Sequence, residues 1–238
     1  MITLEPRDDQ THAIWQALID LGRHQPRGWT LIGAQMVALH AAEHNRAGPR
    51  SSRDADVLVN VRLVQDGTQL LSRTLMQLGF QFLGAGPEGI GHRFRRGPAE
   101  IDILAPDGLG RRTELTTLPP ARTVSVPGGA QALARTEIVD VSIAGDAGII
   151  PRPNLLGAIL LKCRAIDVDD APNSQRLDLA SLLSLANNPR VLATDVTLNE
   201  RRWLRRRTDL LNPEAPAWRS LGHEAETAHS ALRILAGV

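Results

Sequence analysis

The sequence predicts an α+β protein, with strands and helices mixed over residues 1–150 and helices alone over 151–238. Three observations carry this reading. Short β-branched and aliphatic runs, bounded by Gly and Pro, recur only in the first part. A strand, a glycine and a helix follow one another directly over residues 29–43. After Pro151-Arg152-Pro153 the texture changes, and every remaining apolar pattern has helical spacing.

Taken in order, residues 9–24 place Ile14, Trp15, Leu18 and Leu21 at helical spacing, and Pro26-Arg27-Gly28 ends the run. Residues 29–32 form a short buried strand ending at Gly33. A helix resumes over 34–43 through Met36, Val37, Leu39 and Ala41. Residues 44–53 are polar, contain Gly48-Pro49, and deliver the chain as a loop to Asp54. The next strand is expected to carry Asp54 and Asp56, followed by Val57, Leu58, Val59 and Val61. Residues 65–78 are amphipathic and closed by Gly79. Residues 92–104 read as a hairpin about Gly97-Pro98, residues 109–129 as loop, and 137–143 as a strand. Four helices are expected beyond, over 154–166 with Asn154 as N-cap, 174–186, 198–211 and 222–235. No internal repeat or low-complexity tract is present.

Composition bounds function less than it bounds class. Hydrophobic content of 42%, charge of 22% and a net charge of +1 suit a globular protein with no global field for nucleic acid. Cys163 is the only cysteine, which excludes a disulfide framework and a thiolate metal cluster. The first ten residues are polar and acidic, unlike a signal sequence, and no run is apolar enough to span a membrane, so a cytoplasmic location is expected. Among 27 basic residues only Lys162 is lysine, and tyrosine is absent. In a chain drifted towards arginine, a surviving lysine marks a position where a compact ammonium is needed.

The chemistry gathers around the acids. Residues two apart on a strand share a face, with Cα atoms about 6.5–7 Å apart. Asp54 and Asp56 so placed repel one another unless a cation lies between them or one is protonated. Gly33 and Ala34 sit at a strand-to-helix turn, where free N–H groups and the helix dipole favour phosphate. Asp102, flanked by Ile101 and Ile103, projects away from those neighbours, and Glu100 shares its face as rival or helper. Three carboxylates at one strand mouth can hold two Mg²⁺ ions, clamping a triphosphate and activating a hydroxyl. Each residue also has a plainer role: Asp54 and Asp56 as a strand start, Asp102 as an edge acid, Lys162 snorkelling along a helix, Asp178 as a first-turn helix acid, Arg50 and Ser52 as turn residues. His40 and His92 are given no role. The run Arg201-Arg202-Trp203-Leu204-Arg205-Arg206-Arg207 reads equally as a solvated helix face or as a phosphate-tracking surface for RNA.

The order Leu31-Ile32-Gly33-Ala34, Arg50-x-Ser52-x-Asp54-x-Asp56 and Ile101-Asp102-Ile103 resembles the DNA polymerase β-type nucleotidyltransferase superfamily. The Arg-x-Ser-x-Asp-x-Asp form is similar to the AbiEii/MenT-like nucleotidyltransferase toxins, whose later Lys and Asp motifs resemble the stretches around Lys162 and Asp178. The likeness covers about residues 29–183. It implies a nucleotidyltransferase-type mixed sheet with flanking helices, followed by the helical bundle. It implies further that Asp54 and Asp56 bind both Mg²⁺ ions and Asp102 the one that activates the acceptor hydroxyl. Lys162 then meets the triphosphate of the NTP, Asp178 faces the substrate or orients Lys162, and Gly33, Ala34, Arg50 and Ser52 serve the nucleotide. The acceptor implied is a tRNA 3′ end, with a cognate antitoxin as partner. Ala34, where the superfamily has a second Gly or a Ser, and the long gap over 35–53 depart from the pattern. Two alternatives stay open: a catalytically degenerate nucleotide- or RNA-binding protein, and a transferase acting on a small molecule of the aminoglycoside type.

Overall fold

A computed structural model describes residues 1–110, 113 and 115–238. Arg111, Arg112 and Glu114, in the stretch expected as loop, lie outside the described residues. The order of elements is β1 (Ile2–Leu4), α1 (Asp9–His24), β2 (Trp29–Ile32), α2 (Gly33–Glu43), β3 (Ala55–Val59), α3 (Gly67–Gln77), β4 (Gln81–Phe82), β5 (Arg93–Arg96), β6 (Ala99–Pro106), β7 (Ser125–Val126), α4 (Gly129–Ala134), β8 (Thr136–Ile143), β9 (Asp146–Pro153), α5 (Leu155–Ala165), α6 (Pro172–Ser184), α7 (Pro189–Leu192), α8 (Leu198–Arg205), α9 (Thr208–Leu211), α10 (Pro216–Arg219) and α11 (Ala225–Ala236).

The α+β class holds, with mixed sheets flanked by helices. The larger sheet runs β2-β3-β6-β5-β4, with β7 beside β6. β3 and β6 are parallel, while β2 and β5 are antiparallel to their neighbours. Strands β3 and β6 are central, and their runs Val57-Leu58-Val59 and Ile101-Asp102-Ile103-Leu104 are buried on both faces. That is why they read as near-continuous apolar stretches rather than alternating ones. A second sheet, β1-β8-β9, matches the sequence pattern only at β8. The polar first residues form β1, parallel to β8, because Ile2 and Leu4 supply a buried alternate pair. The supposed boundary Pro151-Arg152-Pro153 is the end of β9, so the expected division at residue 150 falls inside a strand.

α1 packs against β9 and β8 of one sheet and β6 of the other, and so ties the two sheets. At Gly22 a Cβ would lie 2.0 Å from the Ile149 carbonyl oxygen, so only glycine permits this approach of helix to strand. α5 is buried from Leu156 to Cys163 and lies among α4, α6 and α8, with Lys162 the charged residue in that buried stretch. Asn154 caps it as expected, accepting from the Gly157 N–H at 2.9 Å. One apolar cluster runs from Ile2 to Ala236 through both parts of the chain. The helix expected over 198–211 breaks at Arg206 into α8 and α9, and among the described residues no helix is long and apolar enough to cross a membrane.

Candidate functional site

The site starts where β2 becomes α2. Ile32, the last residue of β2, lies opposite Asp56 of β3. The chain then turns at Gly33 with φ of +69°, and a Cβ there would sit 1.9 Å from Asp56 Oδ2. Glycine is required twice over, for the left-handed backbone and for the space the Asp56 carboxylate takes. No side chain caps α2, whose N-cap is Ile32, so the first-turn amides receive no side-chain acceptor from the cap. Ala34 is buried beside the turn and brings no hydroxyl.

Asp102 is the register partner of Asp56 on the adjacent parallel strand, about 4.8 Å away in the pairing direction. Asp54 is a correction: it lies in the bend one residue before β3, not on the strand. Its carboxylate is nevertheless fixed at the mouth, accepting from Ser52 Oγ at 2.7 Å. The cation among these acids is Arg93, to which the sequence pattern assigns no role. Its Nε donates to Asp102 Oδ1 at 2.8 Å and its Nη2 to Asp102 Oδ2 at 2.7 Å, with a longer bond to Asp54 Oδ2 at 3.3 Å. His92, also given no role, places Nε2 3.5 Å from Asp102 Oδ2, and its buried Nδ1 has no partner among the described residues.

The protonation states follow from this arrangement. Burial opposes ionisation of Asp102, but hydrogen bonds from Arg93 and His92 outweigh it and hold the group below the usual carboxylate range. Asp56 is pushed up to about 7, first by burial and then by the charges on Asp54 and Asp102, with Lys162 and Arg93 pulling partly the other way. No described side chain donates a hydrogen bond to Asp56. Asp56 is therefore the acid of the mouth whose ionised form the chain itself supports least.

Behind the mouth lies a second ionic group. Lys162 on α5 is 3% exposed, and its Nζ lies 2.8 Å from Asp178 Oδ2 and 2.8 Å from Gln175 Oε1. Asp178 is fully buried in mid-α6, not in its first turn, and accepts a fork from Arg50 Nε at 3.1 Å and Nη2 at 3.0 Å. Arg50, Lys162 and Asp178 thus join the 44–53 loop to α5 and α6, and the Lys162 charge reaches Asp56. The long loop is anchored at other points: Arg7 donates to the Gly48 carbonyl at 2.9 Å, and Gln35 to that of Ser52 at 3.3 Å. A cavity of about 490 Å³ is bordered by this loop, its lining including Arg7, Trp15, Gln35, Arg46, Arg50 and Ser52.

The structure brings Gly33, Asp54, Asp56 and Asp102 to one mouth, with Ser52 holding Asp54 and the Arg50–Asp178–Lys162 group adjoining. Glu100 does not join the acids; it is engaged by Arg95, whose Nε donates to Oε1 at 2.9 Å. Gln175 and Arg93 were missed, but Arg93 had a signal. Counting outward from the two-residue turn Gly97-Pro98 pairs Arg93 with Asp102, as observed. The donors are hard carboxylate oxygens suited to Mg²⁺, and a guanidinium stands in for a cation among them. As the side chains stand, however, no three His, Cys, Asp or Glu among the described residues gather closely enough to hold a metal ion.

The basic run is partly engaged within the fold. Arg201 donates to the carbonyls of Ala193 at 2.7 Å and Leu235 at 3.3 Å, and Arg205 to Ala236 at 2.8 Å and Gly237 at 3.3 Å. Arg207 is buried and pairs with Asp167. These three serve the fold; Arg202 and Arg206 remain at the surface.

No family model matches the chain, and no curated protein matches it. Among solved structures, the chain is similar to an antigenic nucleotidyltransferase-like protein from Paracoccidioides brasiliensis, with a TM-score of 0.46 and 12% identity over 96% of this chain and 88% of that one. An overlap of that strength is too weak to transfer a function.

Proposed function

We propose that the chain is a Mg²⁺-dependent nucleotidyltransferase that moves an NMP from an NTP to a hydroxyl, with a tRNA 3′ end as acceptor. The reading rests on one observation: Asp54, Asp56 and Asp102 converge beside the Gly33 turn, and Asp56 among them is left without a side-chain donor. Asp54, Asp56 and Asp102 would hold the divalent cations, which when bound would supply the charge that aligns a triphosphate and lowers the pKa of the attacking hydroxyl.

The chain's own residues do the rest. Ser52 sets the rotamer of Asp54. The Gly33 turn offers the first-turn amides of α2 to phosphate. Lys162 has three N–H donors, of which Asp178 and Gln175 take two. On this reading the third would go to a triphosphate oxygen entering over the buried ammonium, which would offset charge building on the departing pyrophosphate. Asp178 is the positioning residue that keeps this ammonium in place, and Arg50 fixes Asp178. An antitoxin partner and growth arrest belong to the same reading, through the resemblance of the Arg50-to-Asp56 stretch.

Incubation with each labelled NTP, Mg²⁺ and total tRNA tests it. Label on tRNA is the expected result. Label on an aminoglycoside alone would move the acceptor to a small cationic molecule, and no transfer in any lane would refute the enzyme. The Arg93 bridge, together with Ala34, favours one second reading, a nucleotide-binding protein of the same fold without catalysis. That reading expects NTP binding by calorimetry and no pyrophosphate release.

A further inference from the structure

Arg93 differs from the other cations near the acids. Its side chain is 42% exposed, whereas Lys162 is 3% exposed and locked between Asp178 and Gln175. Its backbone is fixed by the β5–β6 register, so its Cα stays opposite Asp102 wherever the guanidinium points. The guanidinium bridges Asp102 and Asp54, two of the three acids that the proposed reaction needs for cations. It also has somewhere to go. Glu100 Oε2, on the same face of β6, lies 3.6 Å from Arg93 Nη1, while Arg95 is hydrogen-bonded to the other oxygen, Oε1.

Resting on the proposed function, we propose that Arg93 is a tethered counter-cation: it bridges Asp54 and Asp102 in the metal-free protein and yields them to a divalent cation by swinging to Glu100. The swing needs side-chain rotation only. The acids are never left without a cation, since the guanidinium gives way as the metal arrives, and the two carboxylates are kept in place until the exchange. Arg93 is on this view a positioning residue, and it competes with the metal.

The test measures binding rather than turnover. Calorimetry with Mn²⁺, without nucleotide, compares the wild type with Arg93→Gln and Arg93→Lys. Loss of an opposite charge from a carboxylate pair is expected to tighten Mn²⁺ binding about tenfold in Arg93→Gln, with Arg93→Lys between. A second measurement needs no variant to fold perfectly. In wild-type protein with ¹⁵N-labelled arginine, the Arg93 Nε–H resonance, assigned by its absence in Arg93→Lys, is expected to move when Mg²⁺ is added. Equal Mn²⁺ affinity in all three proteins, or an Arg93 resonance indifferent to saturating Mg²⁺, overturns the proposal alone. No Mn²⁺ binding in any of them overturns the nucleotidyltransferase reading with it.

Discussion

Two clusters of like charge mark the sequence, the acids Asp54, Asp56 and Asp102 and the basic run from Arg201 to Arg207, and the fold treats them oppositely. Three of the five arginines are matched by distant parts of the chain. Arg201 and Arg205 reach the last carbonyls of α11, where a helix end presents unpaired acceptors and partial negative charge, and Arg207 meets Asp167. Among the acids, Asp54 and Asp102 share Arg93, and Asp56 is left unmatched. Asp56 has no side-chain donor among the described residues and is lifted to about 7 by burial and by its two neighbours. A cluster whose partners are complete is explained by the fold, whereas an incomplete one asks for something from outside. Charge density in a sequence does not separate the two cases; the location of partners does.

Substitutions can break this contrast, and the largest effect belongs to the buried support of the mouth. Asp178→Ala leaves Lys162 in the interior without its carboxylate and unties Arg50 from α6. Removing one member of a buried pair costs about 3–5 kcal/mol, to be read by urea denaturation. A loss under about 1 kcal/mol would mean that the group is peripheral to the fold, like a surface pair.

Asp56→Asn comes next, and its effect has opposite signs for transfer and for stability. Nucleotide transfer should fall by about 10²–10³-fold, as when one group that stabilises the transition state is removed. Stability should rise at pH 8. The folded-state value of about 7 lies above the ordinary 3.8, so folding favours protonated Asp56. Its stabilising contribution is complete below about pH 4 and is lost as pH rises through about 7. Asparagine removes that loss. Each tenfold weakening of the carboxyl as an acid corresponds to about 1.4 kcal/mol. Discounted for the partial contact of the mouth with water, the gain at pH 8 is about 2–3 kcal/mol. Below about pH 4, where the carboxyl is protonated in both the folded and the unfolded chain, the two proteins should melt together. A variant equally or less stable at pH 8 would show that the acids are not in conflict.

How much of this was legible in the sequence depends on the range of the interaction. The strand–Gly33–α2 unit, the β5–β6 hairpin and the Asn154 cap are local and were readable from turn and cap chemistry. β1 and β9 were not, because each holds its place through a pairing partner more than a few residues away: Ile2 with Val141, and Arg152 with Glu137. In the site, Asp56, Asp102, Gly33 and Lys162 were visible as residue types, and their convergence is tertiary. Arg93 was visible only through the hairpin register, which pairs it with Asp102 across the turn. The basic run stayed open between two readings for the converse reason: partners of Arg201 and Arg205 are carbonyls of α11, about thirty residues on, which no side-chain pattern announces.

The Gly33 turn sharpens the contrast on its acidic side. A methyl group there meets the Asp56 carboxylate at 1.9 Å and needs a left-handed backbone. Gly33→Ala should cost about 1–3 kcal/mol and displace Asp56, so transfer should fall with stability. The pair Gly33→Ala with Asp56→Ala is the sharper measurement. If the cost comes from the clash, removing the carboxylate restores part of the lost stability; if it comes from the backbone alone, the two changes do not rescue one another.

The smallest effect belongs to the basic run, and it is the one that separates fold from function there. Arg201→Ala with Arg205→Ala removes donors to the α11 carbonyls and should lower stability by about 1–2 kcal/mol. Affinity for tRNA and its slope against log salt should not change, because these guanidinium groups are already engaged within the chain. Arg202→Ala with Arg206→Ala should do neither if the run is purely structural, since both side chains lie at the surface. A drop in the salt slope in this second pair, with stability intact, would show that the two surface arginines track phosphate. The basic run would then be divided by residue, three arginines clasping helices and two meeting nucleic acid, and the contrast with the acid mouth would hold only for the first three.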